Sequence, residues 1–193
     1  MTMPYAEVIG DPIAQSKSPA IHRFWLEKLG IEADYRATRV SEAEVADYLT
    51  ERKADPDWRG CNVTMPLKQT VQPHLESVKE PAASIGAVNT IYPDNDRLLA
   101  GTNTDAAGFL EPLTKELQSP HLFRMARILG AGGAARAIAH ALARENFTLV
   151  IAARRVEQAE DIIAGLPQTT QHHAILLDHF AQSTDFDFDD RQG

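Results

Sequence analysis

The sequence contains one cysteine, no long apolar run and no concentration of positive charge. Cys61 is alone among 193 residues, which excludes an intramolecular disulfide, and no spacing of Cys and His resembles a zinc site. Without a run of about 18 apolar residues there is no candidate transmembrane helix. The first residues lack the basic and apolar regions of a signal peptide. We therefore expect a cytoplasmic protein with no metal site and no membrane association.

The charge balance is acidic. The chain has 27 Asp and Glu against 19 Lys and Arg, a net charge of −8, of which −4 comes from the five aspartates and one arginine of residues 178–193. Nucleic-acid-binding proteins usually present a clustered basic face, so a nucleic-acid partner is not expected. With 44% hydrophobic and 24% charged residues, the composition is that of a globular protein with one large or two small domains.

Strand-like and helix-like segments alternate along the chain. The strand-like run Tyr5–Ile9 stops at Gly10. The helix that follows begins with Ser18, a good capping residue, and Pro19, which suits the first turn. This alternation predicts an α/β fold with largely parallel sheets. The turn-forming residues 93–96, between two apolar segments, predict a hairpin.

The first predicted helix has one apolar face. Ile21, Trp25 and Leu29 recur at helical spacing, with Phe24 beside them. We expect Phe24 and Trp25 to lie in the core. His22, on the same helix, is interpreted as a surface or packing residue rather than a catalytic base.

A glycine-rich turn predicts a dinucleotide site. Gly130, Gly132 and Ala135 match the pattern G-x-G-x-x-[GA], between the apolar segment 127–129 and a predicted helix. The first glycine allows a tight turn, the second lets the backbone approach a pyrophosphate, and the small third residue lets the helix pack on the strand. A purely structural turn is the alternative. The residues predicted to contact the dinucleotide are Gly130, Ala131, Gly132, Gly133 and Ala134.

The residues after the next strand distinguish between the two nicotinamide cofactors. An acidic residue there would accept hydrogen bonds from the ribose 2′-hydroxyl of NAD, but the sequence has Ala153, Arg154 and Arg155 and no acid before Glu157. Guanidinium groups suit a 2′-phosphate through their charge and forked donors. NADP is therefore predicted, with Arg154 and Arg155 as its ligands. A solvated surface arginine is the alternative.

Small polar residues cluster at predicted strand ends within the first 110 residues. Ligands of open α/β folds bind outside the carboxyl ends of strands, and a polyol carboxylate needs many hydroxyl and amide partners. Each residue alone has an alternative role in a cap or a turn. The set is Ser16, Ser18, Asn62, Thr64, Lys68, Asn89, Thr90, Asn103, Thr104 and Asp105.

Together, five segments resemble the shikimate dehydrogenase family, whose members are NADP-dependent enzymes of aromatic amino-acid biosynthesis. The segments occur in the order typical of the family and span about residues 8–166. The biosynthetic type is favoured over the broader quinate/shikimate type by Arg154 and Arg155. The segments are Pro12–Pro19, Asn62–Lys68, Gly86–Thr90, Gly101–Asp105 and Gly130–Ala135.

The resemblance implies the reversible reduction of 3-dehydroshikimate to shikimate by NADPH. Lys68 matches the family's catalytic lysine and Asp105 its paired aspartate. A lysine ammonium can stabilise the alkoxide that forms as hydride arrives and can supply a proton. Ser16 and Ser18 match the groups that hold the substrate carboxylate. The groups around the ring hydroxyls are matched by Asn62, Thr64 and Asn89.

The resemblance also implies a division into domains. Residues 1–105 would form an α/β substrate-binding and catalytic domain, 106–125 a connecting helix and linker, and 126–193 an incomplete Rossmann-type NADP-binding domain. Family members continue beyond this sequence, and the acidic tail 185–193 does not continue their pattern. We therefore expect a C-terminally truncated chain with an uncovered apolar face and little or no dehydrogenase activity.

Two alternatives stay open at this point. The first is a non-catalytic remnant or binding module that keeps part of the substrate pocket and binds ligand without turnover. The second is a related dehydrogenase that acts on quinate or on an amino analogue of shikimate, which substrate competition would separate. The sequence gives no oligomeric state.

Overall fold

The computed structural model describes residues 3–118, 124–167 and 170–180. These residues divide into two compact units, with the boundary between Thr104 and Asp105. The acidic tail expected at 185–193, and residues 119–123 of the expected linker, lie outside the described residues.

The first unit contains a six-stranded sheet, and its strands are β1 (Tyr5–Gly10), β2 (Asp34–Arg39), β3 (Trp58–Val63), β4 (Ser77–Val78), β5 (Thr90–Pro93) and β6 (Leu99–Thr102). Their order across the sheet is β2-β1-β3-β5-β6-β4. Strand β1 is parallel to β2 and β3, and β4 is parallel to β6. Strands β5 and β6 form the hairpin predicted around residues 93–96 and are antiparallel to each other, as β5 is to β3.

Three helices belong to the same unit, namely α1 (Ser18–Leu29), α2 (Val45–Ala54) and α3 (Ala82–Ile85). Gly30 ends α1 in the left-handed conformation, with a φ of 65°. A short 3-10 turn at Glu42–Glu44 leads into α2. The turn is closed by Ser41 and Glu44, since the Ser41 backbone N–H and hydroxyl both donate to the Glu44 carboxylate.

The two faces of the first sheet carry separate apolar clusters. Side chains of a strand point alternately to opposite faces, so Tyr5 and Ile9 of β1 join one cluster and Val8 joins the other. The larger cluster contains Leu49 of α2 and Trp58 of β3, both almost fully buried. The smaller one contains Val8, Ile13 and Tyr35 and lies on the face that α1 contacts.

The prediction that Phe24 and Trp25 lie in the core is wrong. In the structure 54% of Phe24 and 52% of Trp25 are exposed. Helix α1 contacts the sheet instead through Leu26, which packs on the smaller cluster, and His22, whose ring stacks on that of Tyr35. The stripe that faces the sheet is therefore one residue away from the predicted stripe, a rotation of about 100° around the helix axis.

A buried ion pair crosses from β1 to α2. The Glu7 side chain is 1% exposed and accepts a hydrogen bond of 2.7 Å from Arg52 Nε. The Tyr48 hydroxyl donates to the same carboxylate at 2.8 Å, and the Thr38 hydroxyl also donates to it. These donors satisfy the oxygens of a charge that burial would otherwise penalise heavily.

The second unit contains a parallel three-stranded sheet with strands β7 (Met125–Leu129), β8 (Thr148–Ala153) and β9 (His173–Leu176), in that order. The second sheet is parallel and the first is mixed, with three parallel and two antiparallel pairings, so parallel pairing predominates, as predicted. The helices of this unit are α4 (Asp105–Leu110), α5 (Thr114–Leu117), α6 (Gly133–Arg144) and α7 (Val156–Ala164). Its apolar core forms between the sheet and helices α6 and α7. Across the described ranges, no helix is both long and apolar enough to cross a membrane.

Candidate active site

The loops after β1 and β3 lie against each other. The Thr64 backbone N–H donates to the Ile9 carbonyl at 2.9 Å, and the Asp11 N–H donates to the Met65 carbonyl at 3.2 Å. A β-carbon on Gly10 would lie 2.5 Å from Thr64 Cγ2 and 2.8 Å from the Met65 carbonyl oxygen. The close approach that positions Thr64 therefore requires glycine at position 10.

We expect Gly10→Ala to lower the free energy of unfolding by about 1–3 kcal/mol, because the added methyl group overpacks a rigid contact. The displaced Thr64 should also weaken binding of a ligand at this site. Urea unfolding and calorimetric titration with shikimate measure the two effects. Gly108→Ala is the matched control, since a β-carbon there has no atom within 4 Å. Equal stability of the two variants would contradict the close contact.

Lys68 is held by its neighbours in the loop after β3. Leu67 and Val71 on either side are fully buried, and the Val88 N–H donates to the Lys68 carbonyl at 2.7 Å. The Lys68 side chain is half-buried. The hydrogen bond from Val88 fixes the Lys68 backbone to the segment that leads into Asn89.

A chain of side-chain hydrogen bonds links Asn62, Thr90, Asn89 and Thr104. Asn62 Nδ2 donates to Thr90 Oγ1 at 3.2 Å, and the Thr90 hydroxyl donates to Asn89 Oδ1 at 2.9 Å. Asn89 Nδ2 donates to Thr104 Oγ1 at 2.9 Å, while the Thr104 backbone N–H donates to Asn89 Oδ1 at 3.0 Å. Asn62 and Thr90 are direct partners in the antiparallel pairing of β3 with β5. Four polar residues predicted to share a site are therefore in contact.

Tyr35, which no sequence motif marks as a site residue, extends this chain. Its hydroxyl donates to Asn62 Oδ1 at 2.6 Å. Burial raises the pKa of the Tyr35 hydroxyl well above its ordinary value, so this hydroxyl keeps its proton at neutral pH. A cavity of about 400 Å³, lined by Tyr35, Asn62, Thr90 and His22 among others, opens beside these residues.

The loop that carries Ser16 and Ser18 leads into α1. The prediction that Ser18 caps this helix is wrong, because Ser18 is its first residue and Lys17 is the N-cap. The Ser16 hydroxyl oxygen instead accepts a hydrogen bond from the Ser18 backbone N–H at 3.3 Å. Asp105 begins α4 and thus the second unit. Its pairing with Lys68 stays a prediction.

The glycine-rich turn connects β7 to α6. Gly130 has a φ of +99°, which other residues rarely adopt, and its N–H donates to the Ala152 carbonyl at 2.8 Å. Gly132 is the N-cap of α6. Added β-carbons at Gly130 and Gly132 would meet no atom within 4 Å. The turn thus leaves open space beside the N-terminal end of α6. At that end the N–H groups of Gly133 and Ala134 have no hydrogen-bond partner within the helix. A pyrophosphate fits such a turn.

The two predicted arginine ligands follow β8 at the same edge of the sheet. Leu129 pairs with Ala152 in the parallel register, so the glycine-rich turn and the residues after Ala153 leave the sheet side by side. Arg154 and Arg155 are both exposed, and Arg155 is also the N-cap of α7. Over the described part of the chain, no group of three or more His, Cys, Asp or Glu side chains could hold a metal ion.

Comparison with known sequences identifies a family match in the first unit. Residues 8–91 match the family model of the shikimate dehydrogenase substrate binding domain. The NADP(+)-dependent shikimate dehydrogenase of Sphingopyxis alaskensis is 54% identical over 142 residues, which are 73% of this chain and 50% of that protein. The chain spans about half the length of the curated relatives it matches.

Solved structures extend the similarity to both units. Shikimate 5-dehydrogenase from Thermus thermophilus, in complex with NADP(H) and shikimate, matches with a TM-score of 0.75 and 36% identity, over 90% of this chain and 63% of that one. Ligand-free 5-ketofructose reductase of a Gluconobacter species matches with a TM-score of 0.76 and 34% identity, over 91% of this chain and 63% of that one. The architecture is therefore that of a substrate-binding domain followed by a Rossmann-like domain.

Proposed function

We propose, from the premise that residues 8–91 belong to the shikimate dehydrogenase substrate-binding family, that the chain binds shikimate with its first unit and NADP(H) with its second. The proposed reaction is the NADPH-dependent reduction of 3-dehydroshikimate and its reverse. The observation that carries the proposal is the hydrogen-bonded set at the ends of β3 and β5. It comprises donors and acceptors suited to a ring with several hydroxyl groups, and the Lys68 carbonyl is hydrogen-bonded to Val88, next to Asn89.

In this proposal each group at the site has a separate task. Asn62, Asn89 and Thr64 hold the ring hydroxyls, and Ser16 and Ser18 hold the substrate carboxylate. The Lys68 ammonium faces the carbonyl oxygen, stabilises the developing alkoxide and gives it a proton. Asp105 accepts hydrogen bonds from Lys68 and from a substrate hydroxyl. NADP(H), when bound, supplies or accepts the hydride.

The residues of the second unit fit the pyrophosphate and the 2′-phosphate of NADP(H). Gly130, Gly132 and the first turn of α6 would hold the pyrophosphate, where backbone N–H groups and the positive end of the helix dipole favour negative charge. Arg154 and Arg155 would hold the 2′-phosphate. The free, buried Cys61 thiol suits a reducing compartment, and we extend the proposal to a cytoplasmic location.

Two measurements on the purified 193-residue chain test the proposed function. Isothermal titration with shikimate and with NADPH measures binding, and the rise in NADPH absorbance measures shikimate oxidation with NADP. Binding of both ligands with turnover supports the dehydrogenase. Binding without turnover identifies the non-catalytic binding module, and failure to bind either ligand contradicts the proposal.

A different substrate of the same chemical class is the second candidate. The similarity to 5-ketofructose reductase shows that this architecture also occurs in a reductase of a polyhydroxy ketone. Quinate and amino analogues of shikimate are further candidate substrates of this class. Titrating each compound against shikimate separates the candidates, since the preferred ligand should displace the others at the lowest concentration.

Removing the Arg154 side chain should lower NADP affinity selectively. We expect Arg154→Ala to raise the dissociation constant for NADP about tenfold, because a charge-assisted bond to the 2′-phosphate is lost. The dissociation constant for NAD should stay within about twofold on the same scale. Titration of both cofactors measures the difference, with Arg144→Ala at the C-terminal end of α6 as a control. An equal loss for NAD and NADP would show that Arg154 does not contact the 2′-phosphate.

A further inference from the structure

We propose that Tyr35 is a positioning residue of the substrate site, which fixes the orientation of the Asn62 amide and, through it, the donors that face the ligand. This inference rests on the proposed function, because it assigns Tyr35 a task in binding at the same site. Tyr35 acts through Asn62, so its loss should change the Asn62 amide as well as ligand binding.

The position of Tyr35 lets its hydroxyl reach across a strand. Tyr35 lies on β2 and Asn62 on β3, and β1 lies between them. Across the sheet Tyr35 pairs with Ala6, and Asn62 pairs with Val8. The small Ala6 side chain leaves room for the phenol ring above β1, and its hydroxyl ends 2.6 Å from Asn62 Oδ1.

The Tyr35 ring is held in place independently of that hydrogen bond. It is 4% exposed and packs in the cluster with Val8. The imidazole of His22 stacks on it, with ring centres 3.9 Å apart and planes 10° apart. His22 in turn contacts the Ser18 carbonyl at 2.9 Å through Nδ1. The ring therefore also links β2 to the helix that carries Ser18.

The hydrogen bond from Tyr35 fixes the Asn62 end of the chain of amides, while the Thr104 backbone N–H fixes Asn89 Oδ1 at the other end. An asparagine amide can turn by 180° and exchange its acceptor for its donor. While the phenol donates its hydrogen bond to Asn62 Oδ1, Asn62 Nδ2 faces Thr90. The Thr90 hydroxyl then donates to Asn89 Oδ1. Asn89 Nδ2 is left to face Thr104. Without the phenol, the amide of Asn62 keeps its 3.2 Å bond to Thr90 but loses the donor that Oδ1 accepts, so this orientation is held less firmly.

A fixed amide orientation matters for a polyol ligand. Nδ2 of Asn62 carries two hydrogens, of which Thr90 takes one. The second can be offered to a ligand oxygen only while the amide keeps this orientation. An amide that turns presents its carbonyl oxygen for part of the time. In that orientation it cannot donate a hydrogen bond to the ligand oxygen that Nδ2 would otherwise contact. Affinity therefore falls although no group that contacts the ligand has been removed.

The test compares Tyr35→Phe with Tyr48→Phe in the 193-residue chain. Both changes remove one hydroxyl from a buried tyrosine of the first unit, but the Tyr48 hydroxyl is bonded to Glu7 and not to Asn62. Tyr35→Phe should weaken shikimate binding about three- to tenfold, the usual effect of one hydrogen bond. Tyr48→Phe should leave the dissociation constant within about twofold on that scale, whatever it does to stability.

A double-variant comparison separates positioning from a general loss of structure. In an Asn62→Ala background, Tyr35→Phe should cause no further loss of affinity, because the amide on which it acts is absent. A loss of the same size in both backgrounds would overturn the proposal. Unchanged affinity of Tyr35→Phe, in a chain that binds shikimate, would overturn it as well.

The side-chain amide of Asn62 gives a readout that needs no ligand. Its pair of Nδ2–H signals in a ¹⁵N-labelled chain is assigned by its disappearance in Asn62→Ala. The pair should shift and broaden in Tyr35→Phe and stay unchanged in Tyr48→Phe. If the unmodified chain does not bind shikimate, the proposed function fails, and this signal alone decides whether Tyr35 orients Asn62. An unchanged signal in Tyr35→Phe would overturn the inference.

Discussion

In an otherwise intact enzyme, replacing Lys68 by alanine is expected to lower the rate of NADP-dependent shikimate oxidation by about 10²–10⁴-fold, the usual scale for loss of an acid–base group. The methyl group of alanine can neither stabilise the developing alkoxide nor transfer a proton. The loop itself should persist, because Leu67 and Val71 remain buried and the Lys68 carbonyl still accepts the Val88 N–H. NADPH absorbance at saturating shikimate measures the change.

Lys53→Ala is the control for this experiment. Lys53 belongs to the same unit, on α2, and forms an ion pair with Glu76, which directly precedes β4. Its removal should leave the rate within about twofold of the unmodified chain, since exposed ion pairs contribute about 1 kcal/mol or less to stability. An unchanged rate in Lys68→Ala would refute the role assigned to this lysine.

The largest effect on stability is expected from Arg52→Ala. The Glu7 carboxylate is 1% exposed and would lose its cationic partner in the core. Removing one member of a buried ion pair costs about 3–5 kcal/mol. The free energy of unfolding, from urea titration followed by circular dichroism, should fall by that amount.

Arg23→Ala provides the matched measurement at the surface. Arg23 pairs with Asp34 at 3.0 Å, but its side chain is largely exposed. Its loss should cost about 1 kcal/mol or less. Similar costs for the two arginine variants would show that burial of Glu7 does not govern the strength of its ion pair.

The features that short sequence patterns specify were predictable. The hairpin between β5 and β6 and the parallel second sheet were predicted from turn residues and from the alternation of strands and helices. The glycine-rich turn was predicted because its spacing sits between a strand and a helix, and a positive φ at Gly130 requires glycine. In each case the physical reason lies within a few residues of the chain.

Features that depend on distant contacts were not predictable in the same way. The apolar stripe of α1 indicated a buried face, but contact with the sheet is made by Leu26 and His22. Tyr35 looked like an ordinary strand aromatic, since its partner Asn62 is 27 positions away and two strands across the sheet. One signal was available, because a buried tyrosine hydroxyl almost always finds a polar partner.

The exposure of α1 gives the molecule two optical reporters in different surroundings. Trp58 is 0% exposed within the core, whereas 52% of Trp25 faces outward. A buried indole emits at shorter wavelengths than one in contact with water, and iodide ions quench only the accessible one. The intrinsic fluorescence of the chain is therefore a sum of two separable components. The quenched part reports on whatever covers α1, and the protected part reports on the integrity of the first sheet.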